Sequence, residues 1–254
     1  MTQPLIAVIQ APDWLADVQA QLGATYRIKI VSQREGYVTW LADEQVALIL
    51  VDSDQSGWRY WTATPKSSSA TRRIPIIAVG DQAEQRREAL LSGADLALTV
   101  ADLRGQIVQL VADYARVLDD TTRAELDCQC QEALPPLAVQ GFEKFNAGEY
   151  YPQHDLFEAQ WVATTGPVRD LYRAILQVGV AYYQIERGNH RGALKMLLRS
   201  VQWLSILPDV CQGIDVAQLR ADSYRVRAEL EALRPEEIGQ FDRSLLKGLK
   251  RIDP

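Results

Sequence analysis

Several things are scarce in this chain of 254 residues, and each scarcity excludes a class. No apolar run approaches the length needed to span a bilayer, and the N-terminus lacks the basic segment and long apolar core of a signal peptide. A protein outside the membrane and resident in the cytoplasm is therefore expected. Basic residues are outnumbered, 27 Lys and Arg against 33 Asp and Glu, for a formal charge of −6. That balance argues against nucleic-acid binding through bulk electrostatics, which needs a basic face. Histidine is limited to His154 and His190, and none of the three cysteines forms a CxxC pair. A zinc centre normally uses three or four protein ligands, so no metal or other cofactor is expected. Cys128 and Cys130 are too close in sequence for an unstrained bridge and Cys211 is far away, which predicts three reduced thiols.

What is abundant is apolar sequence, 47% of the chain, enough for two modest cores. Over residues 1–118 short apolar runs alternate with helical spacing: LIAVI, then Trp14, Leu15, Val18 and Leu22, then YRIKIVS, VALILVDSD, IPIIAVG and ALTV. The alternation predicts a doubly wound parallel sheet of five strands, with YRIKIVS at an edge and a ligand edge at the strand C-termini. Residues 53–71, containing TrpArgTyrTrp and SerSerSer, read as a long mobile loop. Residues 119–134 read as a helical linker with no Gly/Ser tract, and residues 135–254 as an all-helical domain. Its first helix starts at Pro135-Pro136 with Val139, Phe142 and Phe145 inward, and its last, from Pro235, is amphipathic.

The most distinctive stretch is Phe145 to Leu204. A helix from near Pro152 puts His154, Glu158 and Trp161 on one face, and a second, from Val168 to about Glu186, carries Arg169, Arg173, Gln177 and Gln184 among its apolar residues. Gly188 ends that helix and Asn189 can cap a third. FNAGEYYPQHDLFEAQW, AILQVGVAYYQIERGNHRGA and IDVAQLRAD, in this order, resemble domain-of-unknown-function family 309 over the C-terminal half of the chain. The resemblance implies a small all-helical fold and no particular activity. His154, Glu158, Trp161, Arg169, Gln177, Gly188, Asn189 and Gly192 match the family pattern; His154-Asp155, Arg173-Ala174 and Gln184 depart from the usual His-Glu, Gln-Gly and His.

Residues 4–118 resemble the receiver domain of bacterial response regulators. ALILVD places Asp52 at the family's phospho-accepting aspartate, and IPIIAVGDQAEQRREALLSGADLALT follows its fourth strand, fourth helix and fifth strand. Gln10 and Ala11 stand where the resemblance implies the magnesium-binding acids, Gly80 where it implies Ser or Thr, and Val100 where it implies the lysine. A hard cation needs charged oxygen ligands, and phosphoryl transfer needs the cation and lysine to offset charge. Asp52 therefore reads as a degenerate phospho-acceptor position in a pseudo-receiver that binds a protein partner or a second copy of itself, as in a homodimer.

Two function classes follow. In one the protein is a non-catalytic regulatory or scaffold protein of two-component type. In the other the helical domain is a small-molecule binder or enzyme: His154, oriented by Glu158, moves a proton at a substrate held among Trp161, Arg169, Arg173, Gln177 and Asn189. The reading preferred for these residues is structural, a buried network in which His154, Glu158, Arg169 and Gln177 satisfy one another.

Overall fold

The runs Leu5–Ile9, Leu48–Asp52 and Ile76–Val79 become strands buried on both faces, leaving almost no polar side for water, while Arg27–Val31 is an exposed edge. The computed structural model describes residues 3–252 and divides into two compact units, residues 1–117 and 118–254. In the first unit strands and helices alternate as β1 (Leu5–Ile9), α1 (Leu15–Leu22), β2 (Arg27–Val31), α2 (Tyr37–Asp43), β3 (Leu48–Asp52), α3 (Trp58–Ser67), β4 (Ile76–Val79), α4 (Ala83–Leu91), β5 (Leu96–Leu98) and α5 (Val100–Tyr114). All neighbours pair in parallel in the order β2-β1-β3-β4-β5, the doubly wound arrangement expected. Alternate residues of the strands feed two cores. Leu5, Ala7 and Ile9 pack with Tyr37, Leu41, Trp58 and Trp61; Ile6 and Val8 pack with Trp14, Val18, Leu103 and Ile107.

The mobile loop expected over residues 53–71 is instead mostly helix α3. Trp58, Trp61, Thr62 and Pro65 recur at helical spacing and are buried, so this stretch contributes one wall of a core.

The second unit contains α6 (Asp120–Cys130), α7 (Pro136–Asn146), α8 (Tyr150–Ala163), α9 (Arg169–Glu186), α10 (His190–Leu204), a short hairpin β6 (Val210–Cys211) and β7 (Ile214–Asp215), and α11 (Val216–Ala232). The helix α9 is its axis, with ten buried residues from Leu171 to Ile185. Gln153 of α8 meets Gly179 while Trp161 meets Arg169 and Arg173, so these two helices run in opposite directions. Van der Waals burial around Phe145, Phe157, Tyr172 and Tyr182 dominates the core. Leu126, Cys130 and Leu134, in the segment read as a linker, are buried in that same core.

Two expectations fail here. Beyond Pro235 the described residues form no amphipathic helix but two 3-10 turns, Pro235–Gln240 and Arg243–Leu245. Asp242 bonds the Ser244 N–H in a local turn that competes with helix, and the Asn146 side chain holds both backbone groups of Leu249 at 3.0 and 2.7 Å. The three thiols are not all free: Cys130 is bonded to Cys211, and Cys128 alone is free and exposed. A sequence separation of 81 places no limit on their distance in space, because the β6–β7 hairpin brings Cys211 against the end of α6. Gln212 and Gly213, with φ of 51° and 73°, make the tight turn that this requires.

Candidate functional site

The C-terminal edge of the parallel sheet is where such folds bind ligands, and three carboxylates gather there. Asp52, the last residue of β3, accepts hydrogen bonds from the Asp54 amide at 2.8 Å and from Gln55 Nε2 at 3.2 Å. Asp54 accepts from the amides of Asp81 and Gln82 at 2.6 and 3.3 Å, just ahead of α4. Asp81 in turn accepts from the Val100 amide at 3.2 Å. Burial pushes the Asp52 carboxyl above its ordinary range, partly offset by the Asp54 amide. Gly80 at the end of β4 is buried. A Cβ there would lie 2.3 Å from Ser53 Oγ and 2.7 Å from Asp54 Oδ1. The space for a side-chain hydroxyl at position 80 is thus already filled by Ser53 and Asp54. Gln10, the residue after β1, has φ of 59°, and Ala11 beside it is exposed.

In the helical unit the candidates separate. The inward face of α8 is Tyr150, Gln153 and Phe157, which leaves His154 half-buried and turns Glu158 to solvent. His154 Nδ1 lies 3.0 Å from Asp155 Oδ1 and its ring stacks beside Tyr151. Among the described residues no hydrogen bond joins His154 to Glu158. The buried four-residue network expected from the spacing does not form.

Arg169, Arg173 and Trp161 do come together. The two guanidiniums lie 5.3 and 4.9 Å from the Trp161 ring centroid, and Arg173 lies 3.9 Å from that of Trp203 on α10. These are cation–π stacks that spread two cations over indole faces. Gln177 follows on the same face of α9, 4% exposed, with its Oε1 unpartnered; Arg169 Nε and Trp161 Nε1 are likewise buried and unpartnered. All three atoms are closed to solvent, so a ligand would reach them only after the helices part. Asn189 is elsewhere, as the N-cap of α10: its Oδ1 accepts from the Gly192 amide at 3.0 Å and its Nδ2 donates to Gln184 Oε1 at 2.7 Å. His190 Nε2 lies 2.6 Å from the Leu230 carbonyl. No group of three or more His, Cys, Asp or Glu among the described residues could hold a metal ion.

Sequence reasoning missed Gln153 and Gln212. Gln153, fully buried, donates to the Tyr150 carbonyl at 2.9 Å and fills the space beside Gly179, where a Cβ would come within 2.2 Å of its Nε2. Gln212 accepts from the Tyr172 hydroxyl at 2.7 Å. The Gln-Gly pair at residues 212–213 was the only local sign, a turn signal with no hint of its buried partner.

Residues 138–196 match the family described as "Domain of unknown function (DUF309)". A relative from Aquifex aeolicus (strain VF5), described as "Uncharacterized protein", is 22% identical over 95 residues. That alignment covers 37% of this chain and 28% of the relative, so the chain spans under a third of that protein's length. Among solved structures the chain is similar to a response regulator from Thermotoga maritima, at 12% identity and a TM-score of 0.36, over 44% of this chain and 99% of that one. It is also similar to the signal receiver domain of a protein from Vibrio parahaemolyticus described as a Luxo repressor, at 17% identity and a TM-score of 0.33, over 52% and 99%. The chain joins a five-stranded doubly wound parallel sheet to a helical unit whose residues 138–196 match DUF309, and no helix in the described residues is long and apolar enough to cross a membrane.

Proposed function

We propose that the protein is a regulatory or scaffold protein in which the receiver-like unit binds proteins without accepting a phosphoryl group, and the DUF309 domain provides the output. The observation that carries this reading is the closed corner at the sheet edge. The carboxylates of Asp52 and Asp54 are occupied by amide donors, and Ser53 and Asp54 fill the space beside Gly80. Gln10, Ala11 and Val100 supply neither the acids nor the cation that phosphoryl transfer needs. The test is incubation with acetyl phosphate and magnesium followed by intact-mass measurement. An unchanged mass is expected; a gain of one phosphoryl group that Asp52→Asn abolishes would overturn the reading.

The partner includes a second copy of the chain, in the cytoplasm, through the face of α4. Leu90 and Leu91 on that helix are 49% and 81% exposed, and apolar side chains so open to water favour being covered. Light scattering should report a dimer at high micromolar concentration that Leu91→Lys disperses; a monomer at that concentration contradicts it.

A second reading keeps the helical domain as a small-molecule binder. It is favoured by the unpartnered buried atoms of Trp161, Arg169 and Gln177 on facing helices, since polar groups left unsatisfied cost stability and persist where function holds them. In this reading His154 and Glu158, both reached by solvent, flank the site. Native mass spectrometry of the purified protein discriminates: a bound metabolite lost on Arg169→Ala supports a ligand site, and an unliganded mass supports the scaffold alone.

A further inference from the structure

The first helix of the second unit is held to the rest of that unit by a short set of ties, one of them covalent. Helix α6 has eleven residues, of which only Leu126 and Cys130 are buried. A helix this short is marginal in water unless its apolar face is packed, and here the packed face is one leucine and one half-cystine. The Asp119 cap, accepting from the Thr122 amide at 2.8 Å, stabilises the helix itself but fastens it to nothing else.

Apart from Glu125, whose carboxylate lies beside Gly166, the remaining ties gather at the C-terminal turn. Cys130 is bonded to Cys211; the Cys130 carbonyl accepts from the Gln212 amide at 2.7 Å; the Gln129 carbonyl accepts from Gln212 Nε2 at 3.4 Å; and Gln129 Oε1 accepts from the Val168 amide at 3.0 Å. Two of those hydrogen bonds depend on Gln212, which the hairpin holds at a left-handed φ of 51° that a non-glycine residue adopts at a cost. Arg123 Nε, also on α6, is buried with no partner, so the docked state carries a penalty that undocking relieves.

We propose that Cys130–Cys211 is a redox-controlled latch: oxidised, it docks α6 on the helical core; reduced, it releases α6 as a longer tether following the first unit. The step is a two-electron exchange with a dithiol reductant. Its thiolate attacks one sulfur of the Cys130–Cys211 bond and displaces the other. The reductant's second thiol then resolves the mixed disulfide and leaves as the oxidised form, while Cys130 and Cys211 end as thiols carrying the two protons. Re-closure needs a disulfide oxidant and runs the same exchange backwards. Cys128 lies two residues from Cys130, off the buried face and exposed, so it reports accessibility without belonging to the latch.

The test uses the full chain. Iodoacetamide labelling under native conditions should modify Cys128 alone before treatment, and all three cysteines after dithiothreitol. Amide hydrogen exchange then compares the two states. Residues 120–131 should exchange about tenfold faster or more in the reduced protein, with α9 and α10 unchanged, the pattern of a local opening. The Cys130→Ser, Cys211→Ser double variant should reproduce that pattern without reductant, and Cys128→Ser should leave it absent. Labelling of Cys130 and Cys211 before reduction would overturn the proposal. So would equal exchange of residues 120–131 in both states, or loss of protection through the whole helical unit on reduction, which would make the bond a general staple instead of a latch. Wild-type protein with reductant keeps the test decisive if the double variant does not fold.

Discussion

At the sheet edge of the first unit the polar groups answer one another: Asp52, Asp54 and Asp81 each accept backbone amides, and Ser53 donates to the Val79 carbonyl. On the facing surfaces of α8 and α9 the reverse holds, where Gln153 Oε1, Trp161 Nε1, Arg169 Nε and Gln177 Oε1 are buried without partners. The difference teaches that a cluster of carboxylates at a sheet edge can be closed by backbone amides, whereas a helical core keeps unsatisfied groups only against a cost in stability.

The largest expected effect comes from forcing the closed corner open. Gly80→Ser places a side chain within 2.3 Å of Ser53 Oγ, and overpacking of this kind typically costs about 1–3 kcal/mol. Denaturant melts should show the first unit destabilised, and the added hydroxyl should not confer phosphorylation. A stabilised variant would mean that the corner has room after all.

A matched pair of amides sharpens the contrast. Gln212→Ala leaves the buried Tyr172 hydroxyl without its acceptor, at a cost of about 1–3 kcal/mol. Gln177→Leu removes an amide whose Oε1 has no partner, so stability should hold or rise, by up to about 1 kcal/mol. Thermal melts of the two variants in one buffer check this, and a Gln177→Leu protein that melts below the Gln212→Ala protein contradicts it. Glu158→Gln, at an exposed position away from any bond to His154, should change stability by less than about 0.5 kcal/mol.

The smallest effect is a pH slope. Burial raises the folded-state Asp52 carboxyl above its ordinary value of 3.8, so the fold favours the protonated form. Its contribution to stability is fully present below that ordinary value and is lost as pH rises through the raised one. The first unit should therefore lose a little stability across that window, and Asp52→Asn should flatten the slope; melts at stepped pH that give parallel curves for the two proteins would remove Asp52 from the account.

Much of this was legible in sequence, for reasons that particular residues make clear. Strands such as LILVD announce themselves because burial on both faces demands continuous apolar residues. Asn189 could be read as a cap because its role involves only residues three and five away. The failures are long-range. Glu158 shares a helical face with His154 in spacing alone, and whether that face is buried depends on where α9 lies. The Cys130–Cys211 bond and the Asn146–Leu249 contacts join residues 81 and 103 apart, beyond any local pattern. Helix α3 escapes a local reading because the serine run that begins at its last residue resembles loop composition, although Trp58, Trp61 and Pro65 carry the helical period.

The central claim, that the receiver-like corner is closed to phosphoryl chemistry, is tested most directly by amide hydrogen exchange of the full chain with magnesium and fluoroberyllate, a mimic of the aspartyl phosphate. The account predicts no change in protection over residues 48–102. New protection at the ends of β3 and β4 that disappears in Asp52→Asn would contradict it.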